Sequence, residues 1–128
     1  MPKHKITWEI YSYGIYATWD RSSKAIPKLL DITTRIPITP DVEFGYLLKI
    51  KGAKGKVLEF TMEHPPMVDD NNIPMPPFEG TCFIDSNEFD FFLGDTVWEP
   101  FAQMAGDWRL ITKLEGKVIA DKRLTLVY

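Results

Sequence analysis

The fold of this chain is decided near its C-terminal end, by the stretch WRLITKLEGKVIADKRLTL over Trp108–Leu126. Apolar and polar side chains alternate on both sides of Glu115-Gly116, and a period of two predicts β-strands with one buried face. Two such strands around a two-residue turn that ends in glycine predict a β-hairpin. The positions predicted to share the buried face are Trp108, Leu110, Thr112, Leu114, Val118, Ala120, Leu124 and Leu126.

The same alternation recurs upstream and predicts more strands. It runs through Leu30–Ile38, Val42–Lys51 and Leu58–Glu63. In the first run we expect an edge strand or a strand end, because Pro37 cannot donate a ladder hydrogen bond. The segment Ile6–Trp19 changes phase near Tyr11-Ser12, which predicts a bulge or a strand that moves between sheets.

The remaining segments add little regular structure. The pattern between Gly80 and Leu93 predicts one broken strand or two short ones, and Glu99–Gly106 predicts a single helical turn. The segment His64–Glu79 holds five prolines, which exclude a regular helix or a central strand. About seven short strands and almost no helix predict an all-β, antiparallel, immunoglobulin-like β-sandwich, with a closed barrel as the alternative.

Length and composition predict one domain over residues 1–128. Hydrophobic residues make up 45% of the chain, as in globular proteins, and no stretch approaches the run of about 18 apolar residues of a transmembrane helix.

The chain has a single cysteine, Cys82, which excludes an internal disulfide. A free cysteine is more often buried in the core than a reactive thiol, so we expect a core position for Cys82. With no signal segment visible, we expect a cytoplasmic location.

Charge is unevenly distributed along the chain. The net charge is −3, yet residues 57–107 contain eleven Asp and Glu and no Lys or Arg. This acidic central region is either a solvated surface or a face for a basic partner. Nucleic acid is excluded as a ligand, because it requires a clustered basic face. Pairing of the acidic region with the basic ends of another copy is a further possibility.

The Pro/Met-rich loop 64–79 is the best candidate for a binding site. Long loops without secondary structure are usually functional or disordered, and methionines adapt to different partners. We therefore predict a non-enzymatic interaction module for an unidentified protein partner, and the alternative is a carbohydrate-binding domain that uses exposed Trp and Tyr. The predicted contact residues are Met67, Asp69, Asp70, Ile73, Met75 and Phe78.

Known catalytic and metal-binding patterns are missing. A structural zinc site needs clustered Cys and His, whereas His4 and His64 lie sixty positions apart and Cys82 is alone. No serine has a nucleophile-elbow context, and no glycine-rich cofactor motif occurs. The Asp69–Asn72 run lacks the spacing of a calcium loop and is more typical of a turn. We expect no enzyme activity, no cofactor and no metal.

A series of short motifs follows one order along the chain. In sequence, these are Ser12-Tyr-Gly-Ile-Tyr16, Arg35-Ile-Pro37, Phe44-Gly45, Glu63-His-Pro65, Ala105-Gly-Asp-Trp108, Glu115-Gly-Lys117 and Ala120-Asp-Lys122. This order resembles the bacterial family called domain of unknown function 3859, over nearly the whole chain. The resemblance implies an immunoglobulin-like sandwich, no known activity and no catalytic residues. It also implies possible export, since members of that family often look exported.

Overall fold

Two β-sheets pack face to face in the computed structural model, which describes residues 5–17, 26–98 and 101–128. The described residues form nine strands rather than the seven expected, and one short 3₁₀ helix, Phe101–Met104. None of their helices is long and apolar enough to cross a membrane. The strands are β1 (Thr7–Tyr16), β2 (Leu29–Asp31), β3 (Arg35–Pro37), β4 (Glu43–Lys51), β5 (Val57–Glu63), β6 (Phe78–Phe83), β7 (Glu88–Thr96), β8 (Gly106–Leu114) and β9 (Lys117–Val127).

The first sheet has the order β2-β1-β4-β7 and the second has the order β3-β9-β8-β5-β6. All neighbours pair antiparallel except β3 and β9, which run parallel, so the second sheet is mixed. The predicted hairpin is present, and Glu115 and Gly116 both adopt positive φ, 52° and 79°. That pair of values suits the tight turn of a twisted hairpin. The all-β sandwich class is confirmed.

The run Leu30–Ile38, predicted as one strand, is two strands in different sheets. β2 pairs with β1 in the first sheet, whereas β3 pairs with β9 in the second. Consequently Leu30 and Ile32 are exposed while Ile36 is fully buried. The prediction of one shared face was wrong, because period-two alternation continues across the point where the chain changes sheets. The edge position of Pro37 is confirmed.

Bulges account for the other differences in phase. The register of β1 shifts between Ile10 and Ser12, as predicted, and leaves the Tyr11 side chain exposed. A second bulge lies opposite Thr112 and Lys113, where Ile119 is the extra residue. Ile119 is therefore buried and Val118 is exposed, which corrects the predicted buried position of Val118.

The core lies between the two sheets and extends under the loop that follows β5. Tyr46 of β4 and Thr112 of β8 join their hydroxyl groups at 2.5 Å across the sandwich. Burial raises the pKa of Tyr46 far above its ordinary value, so this hydroxyl keeps its proton. Trp108 lies in the same core at the start of β8, and its Nε1–H donates to the Met104 carbonyl at 3.0 Å.

Candidate functional site

The loop between β5 and β6 folds back on itself as a small hairpin. Val68 and Pro74 form an isolated antiparallel bridge. The Met75 N–H donates to the Met67 carbonyl at 2.8 Å, and the Asp69 N–H donates to the Ile73 carbonyl at 3.0 Å. The loop is thus ordered by its own backbone, although its prolines exclude a regular strand.

Asp69 shapes the tip of this hairpin. Its Oδ1 accepts from the Asn71 N–H at 2.8 Å and from the Ile73 N–H at 3.0 Å, while Asn72 takes a left-handed φ of 61°. These are the bonds of an Asx turn, so the turn interpretation of the Asp69–Asn72 run is confirmed. Within residues 5–17, 26–98 and 101–128, no group of three or more His, Cys, Asp and Glu side chains could hold a metal ion.

His64 ties together the two ends of the loop. Its Nδ1 lies 2.7 Å from the Pro65 carbonyl oxygen and its Nε2 lies 2.8 Å from the Pro76 carbonyl oxygen. The ring also packs on Phe78 and Trp108, with centroid distances of 4.8 and 5.7 Å. Both ring nitrogens face backbone acceptors, so His64 has the position of a structural clamp.

Replacing this clamp is expected to loosen the loop without unfolding the sandwich. In His64→Phe the ring contacts remain and the hydrogen bonding of the ring to the Pro65 and Pro76 carbonyl oxygens disappears, at a cost of about 1–3 kcal/mol. Amide exchange at Met75, whose N–H closes the loop hairpin, should accelerate, while exchange at Leu110 in β8 should follow only the change in global stability. Unchanged exchange at Met75 would show that the His64 bonds do not hold the loop.

The structure separates the six predicted contact residues into two groups. Met67 is buried in the core, and Met75 and Phe78 pack partly buried against it. Asp69, Asp70 and Ile73 are exposed at the hairpin tip, where Asp69 and Ile73 are joined through their backbones. Met67, Met75 and Phe78 therefore anchor the loop to the core. Asp69, Asp70 and Ile73 are the residues that a partner could reach.

An open apolar cleft of about 490 Å³ lies beside the hairpin. We call it the Pro/Met cleft. Gln103, from the short helix, closes one side and accepts from the Val68 N–H through its Oε1 at 2.8 Å. Gln103 was not predicted, because a lone glutamine thirty-five positions from Val68 gives no signal in the sequence. The cleft is lined by Glu63, His64, Pro65, Pro66, Met67, Val68, Pro74, Met75, Pro77 and Gln103.

The described tryptophans belong to the core. Trp108 is fully buried, as predicted, whereas Trp8, also predicted in the core, is half-buried against it under Lys117. Trp98 packs edge-on against Trp108 at 6.0 Å. Trp19 lies outside the described residues, as does His4. The described part of the chain therefore offers no exposed tryptophan to the carbohydrate-binding alternative, whereas Tyr11 and Tyr128 are exposed.

The acidic central region includes one whole side of the sandwich. β6 and β7 are edge strands of the two sheets on this side. The ring of Phe60, in the neighbouring strand β5, packs against the ring of Phe91 in β7 with a centroid distance of 5.8 Å. Neither strand contains Lys or Arg. Farther across the second sheet, the Nε–H and Nη2–H groups of Arg109 donate to the two carboxylate oxygens of Asp121 at 2.8 and 2.6 Å. That hydrogen bonding holds the pKa of Asp121 below its ordinary value.

Cys82 lies on the inner face of β6 at the seam between the two sheets. The side chain is half-buried, so its predicted core position holds only in part. Burial raises the pKa of its thiol, and the nearby Asp85 carboxylate raises it further. The thiol is thereby kept in its protonated, weakly nucleophilic form.

Comparisons with known proteins agree with the fold and give no activity. A family model, Domain of unknown function (DUF3859), matches residues 4–126 and confirms the resemblance predicted from the motif order. The structure is similar to that of an immunoglobulin-like protein from Pseudomonas aeruginosa, with 18% identity, a TM-score of 0.79 and 98% of each chain covered. At that identity the likeness shows the fold alone. None of the curated proteins matches the chain.

Proposed function

The chain belongs to the family Domain of unknown function (DUF3859), and we propose that it is a non-enzymatic interaction module that binds a protein segment at the Pro/Met cleft. The observation that carries this proposal is an apolar cleft of about 490 Å³ beside an exposed aliphatic side chain, Ile73, on an ordered hairpin. Concave apolar sites with few polar groups are typical binding sites. A hairpin already fixed by its own hydrogen bonds loses little entropy on binding.

The residues around the cleft indicate the chemistry of the bound segment. Ile73 is 57% exposed at the hairpin tip, and Asp69 and Asp70 of the same hairpin are exposed as well. A segment with an apolar anchor followed by a basic residue would match this combination of one apolar side chain and two carboxylates. A structural rather than a catalytic part for His64 is supported by its ring nitrogens, which lie at hydrogen-bond distance from the Pro65 and Pro76 carbonyl oxygens of the loop.

The proposal is tested by a matched pair of substitutions, Ile73→Asp and Val118→Asp. Val118 is a similarly exposed aliphatic residue, 48% against 57%, at the opposite end of the sandwich. Peptides selected by the unmodified domain from a phage-displayed random library should bind Ile73→Asp at least about tenfold more weakly and Val118→Asp unchanged. Failure to select any peptide, or equal tolerance of both substitutions, would refute binding at the cleft.

A further inference from the structure

The strand β6 is an open edge of the second sheet. Among the described residues it pairs only with β5. The Ile84 N–H donates to the Lys56 carbonyl at 2.9 Å, which sets the alternation of hydrogen-bonded pairs along the two strands. In that alternation the backbone groups of Glu79, Thr81 and Phe83 point away from β5. Three alternate positions therefore present N–H and C=O groups to an incoming strand, although the Phe83 carbonyl also accepts a weak bond from the Cys82 Sγ at 3.8 Å.

Among the described residues, two of the other three edge strands are very short, and the third, β7, has side chains bonded to its backbone at both ends. β2 and β3 each have three residues, and β3 contains Pro37. On β7, the Glu88 N–H donates to Ser86 Oγ and the Thr96 N–H donates to Asp95 Oδ1, so side chains cap both ends. Short edges, prolines and lysines are the usual protection against strand addition. β6 has six residues without proline or lysine.

The side chains of β6 define what kind of strand fits. Glu79, Thr81 and Phe83 lie on the outer face, and Phe83 is 61% exposed beside its cross-strand neighbour Val57. The Glu59 carboxylate lies diagonally from Glu79 on the same face. Both carboxylates line a shallow groove of about 440 Å³ whose one basic residue is Lys113 of β8. Basic side chains of an added strand would find opposite charge here.

The inner face of β6 borders the seam between the sheets. Phe78, Gly80 and Cys82 point inward, and the half-buried ring of Phe60 lies across Gly80. A strand added to β6 would place alternate side chains over Phe60 and Cys82 and bury them. Aliphatic residues at those positions would gain about 25 cal/mol per Å² of apolar surface removed from water.

We propose that β6 binds an extended segment of a basic partner protein by strand addition, with basic residues facing Glu79 and Glu59 and aliphatic residues covering the seam. Main-chain hydrogen bonds would give the affinity and the alternating side chains the selectivity. A second copy of this chain fits poorly, since pairing β6 with itself brings together two regions of eleven acids and no base. The inference uses a surface separate from the Pro/Met cleft and holds or fails independently of it.

The test uses a short, terminally blocked peptide in which lysine alternates with valine, titrated into the intact domain and followed by amide NMR. We expect shifts at Glu79, Thr81 and Phe83, and weaker binding at high salt. The same peptide with glutamate in place of lysine should not bind. A version of the lysine peptide that is N-methylated at the residues whose N–H groups would face β6 should also fail to bind. That result would distinguish strand addition from simple charge attraction.

Two substitutions locate the site on β6. Thr81→Pro removes an outward N–H that β5 does not use, and it should weaken binding about tenfold, whereas Thr81→Val should change it less than about twofold. Glu79→Lys should weaken binding by a similar factor and Glu88→Lys should not. Ile73→Asp should leave this binding unchanged, which separates it from the cleft.

Four results would contradict the strand-addition proposal. No binding, equal binding of the N-methylated peptide, or shifts confined to loop 64–77 would each overturn the proposal. Dimerisation of the domain that Thr81→Pro abolishes would also overturn it, because a second copy would then be the occupant. If Thr81→Pro does not fold, the N-methylated peptide still decides the question with the domain unmodified.

Discussion

Gly45→Ala is expected to destabilise the domain by about 3–5 kcal/mol, a large part of the 5–15 kcal/mol of a typical domain. Gly45 is the third residue of β4, with φ +156°, and a Cβ there would stand 2.1 Å from the Leu93 carbonyl oxygen and 2.7 Å from the Gly94 Cα. Both atoms belong to the backbone of β7, so no rotamer change can relieve the contact. β4 and the edge strand β7 would have to separate where they pair.

The matched control for this substitution is Gly116→Ala. Gly116 has φ +79° at the β8–β9 turn, and a Cβ there would meet nothing within 4 Å. Gly116→Ala therefore measures the cost of a left-handed backbone alone, about 1–2 kcal/mol. Urea unfolding of the two variants separates strain from collision. Equal losses would show that the strands adjust to a methyl group and that the collision does not matter.

The sequence could predict only part of this arrangement. An isolated glycine inside a predicted strand, such as Gly14, indicates a close backbone approach, and a Cβ there would lie 2.2 Å from the Asp31 carbonyl oxygen. Gly14 is opposite Gly45, and Gly45 is opposite Gly94, so three glycines form a row across three strands. That row depends on the register of pairing between strands far apart in sequence, which the sequence pattern alone does not contain.

The fold class was predictable because alternation repeats in most of the long strands, while the count of strands was not. Alternation reports which residues share a face, but not where the chain crosses between sheets, so Leu30–Ile38 gave one strand instead of two. The alternation does not show the position of a bulge either. Ile119 inserts one residue, reverses the faces of its neighbours and places Val118 outside. Both errors occur where local pattern and sheet register disagree.

At the candidate site the sequence located the segment but not the orientation of its side chains. Met67 and Phe78 were plausible contacts by composition, and they instead form the support of the loop. These side chains turn inward because a loop that follows the core strand β5 can return its apolar residues to that core. The clamp made by His64 was equally hidden, since its second acceptor, Pro76, lies twelve residues away.

Trp108→Ala is expected to cost about 3–5 kcal/mol and to release the candidate site as well. Trp108 is fully buried, contacts Phe44 edge-on at 5.2 Å, and forms the floor on which His64 and Trp98 pack. Removing the indole leaves a cavity in the core and takes away the support of the loop clamp. Stability and loop order should therefore fall together.

Trp8→Ala separates these two effects. Trp8 is half-buried near the opposite end of the sandwich, so its loss should cost less, about 1–2 kcal/mol, and should not reach the loop. Urea unfolding gives the two stabilities, and amide exchange at Met75 under native conditions gives the order of the loop hairpin. We expect Met75 exchange to accelerate beyond the global change in Trp108→Ala alone. Acceleration that only matches the global change in each variant would mean that the loop opens only with the whole domain, so that the Pro/Met cleft would have no stability separate from the sandwich.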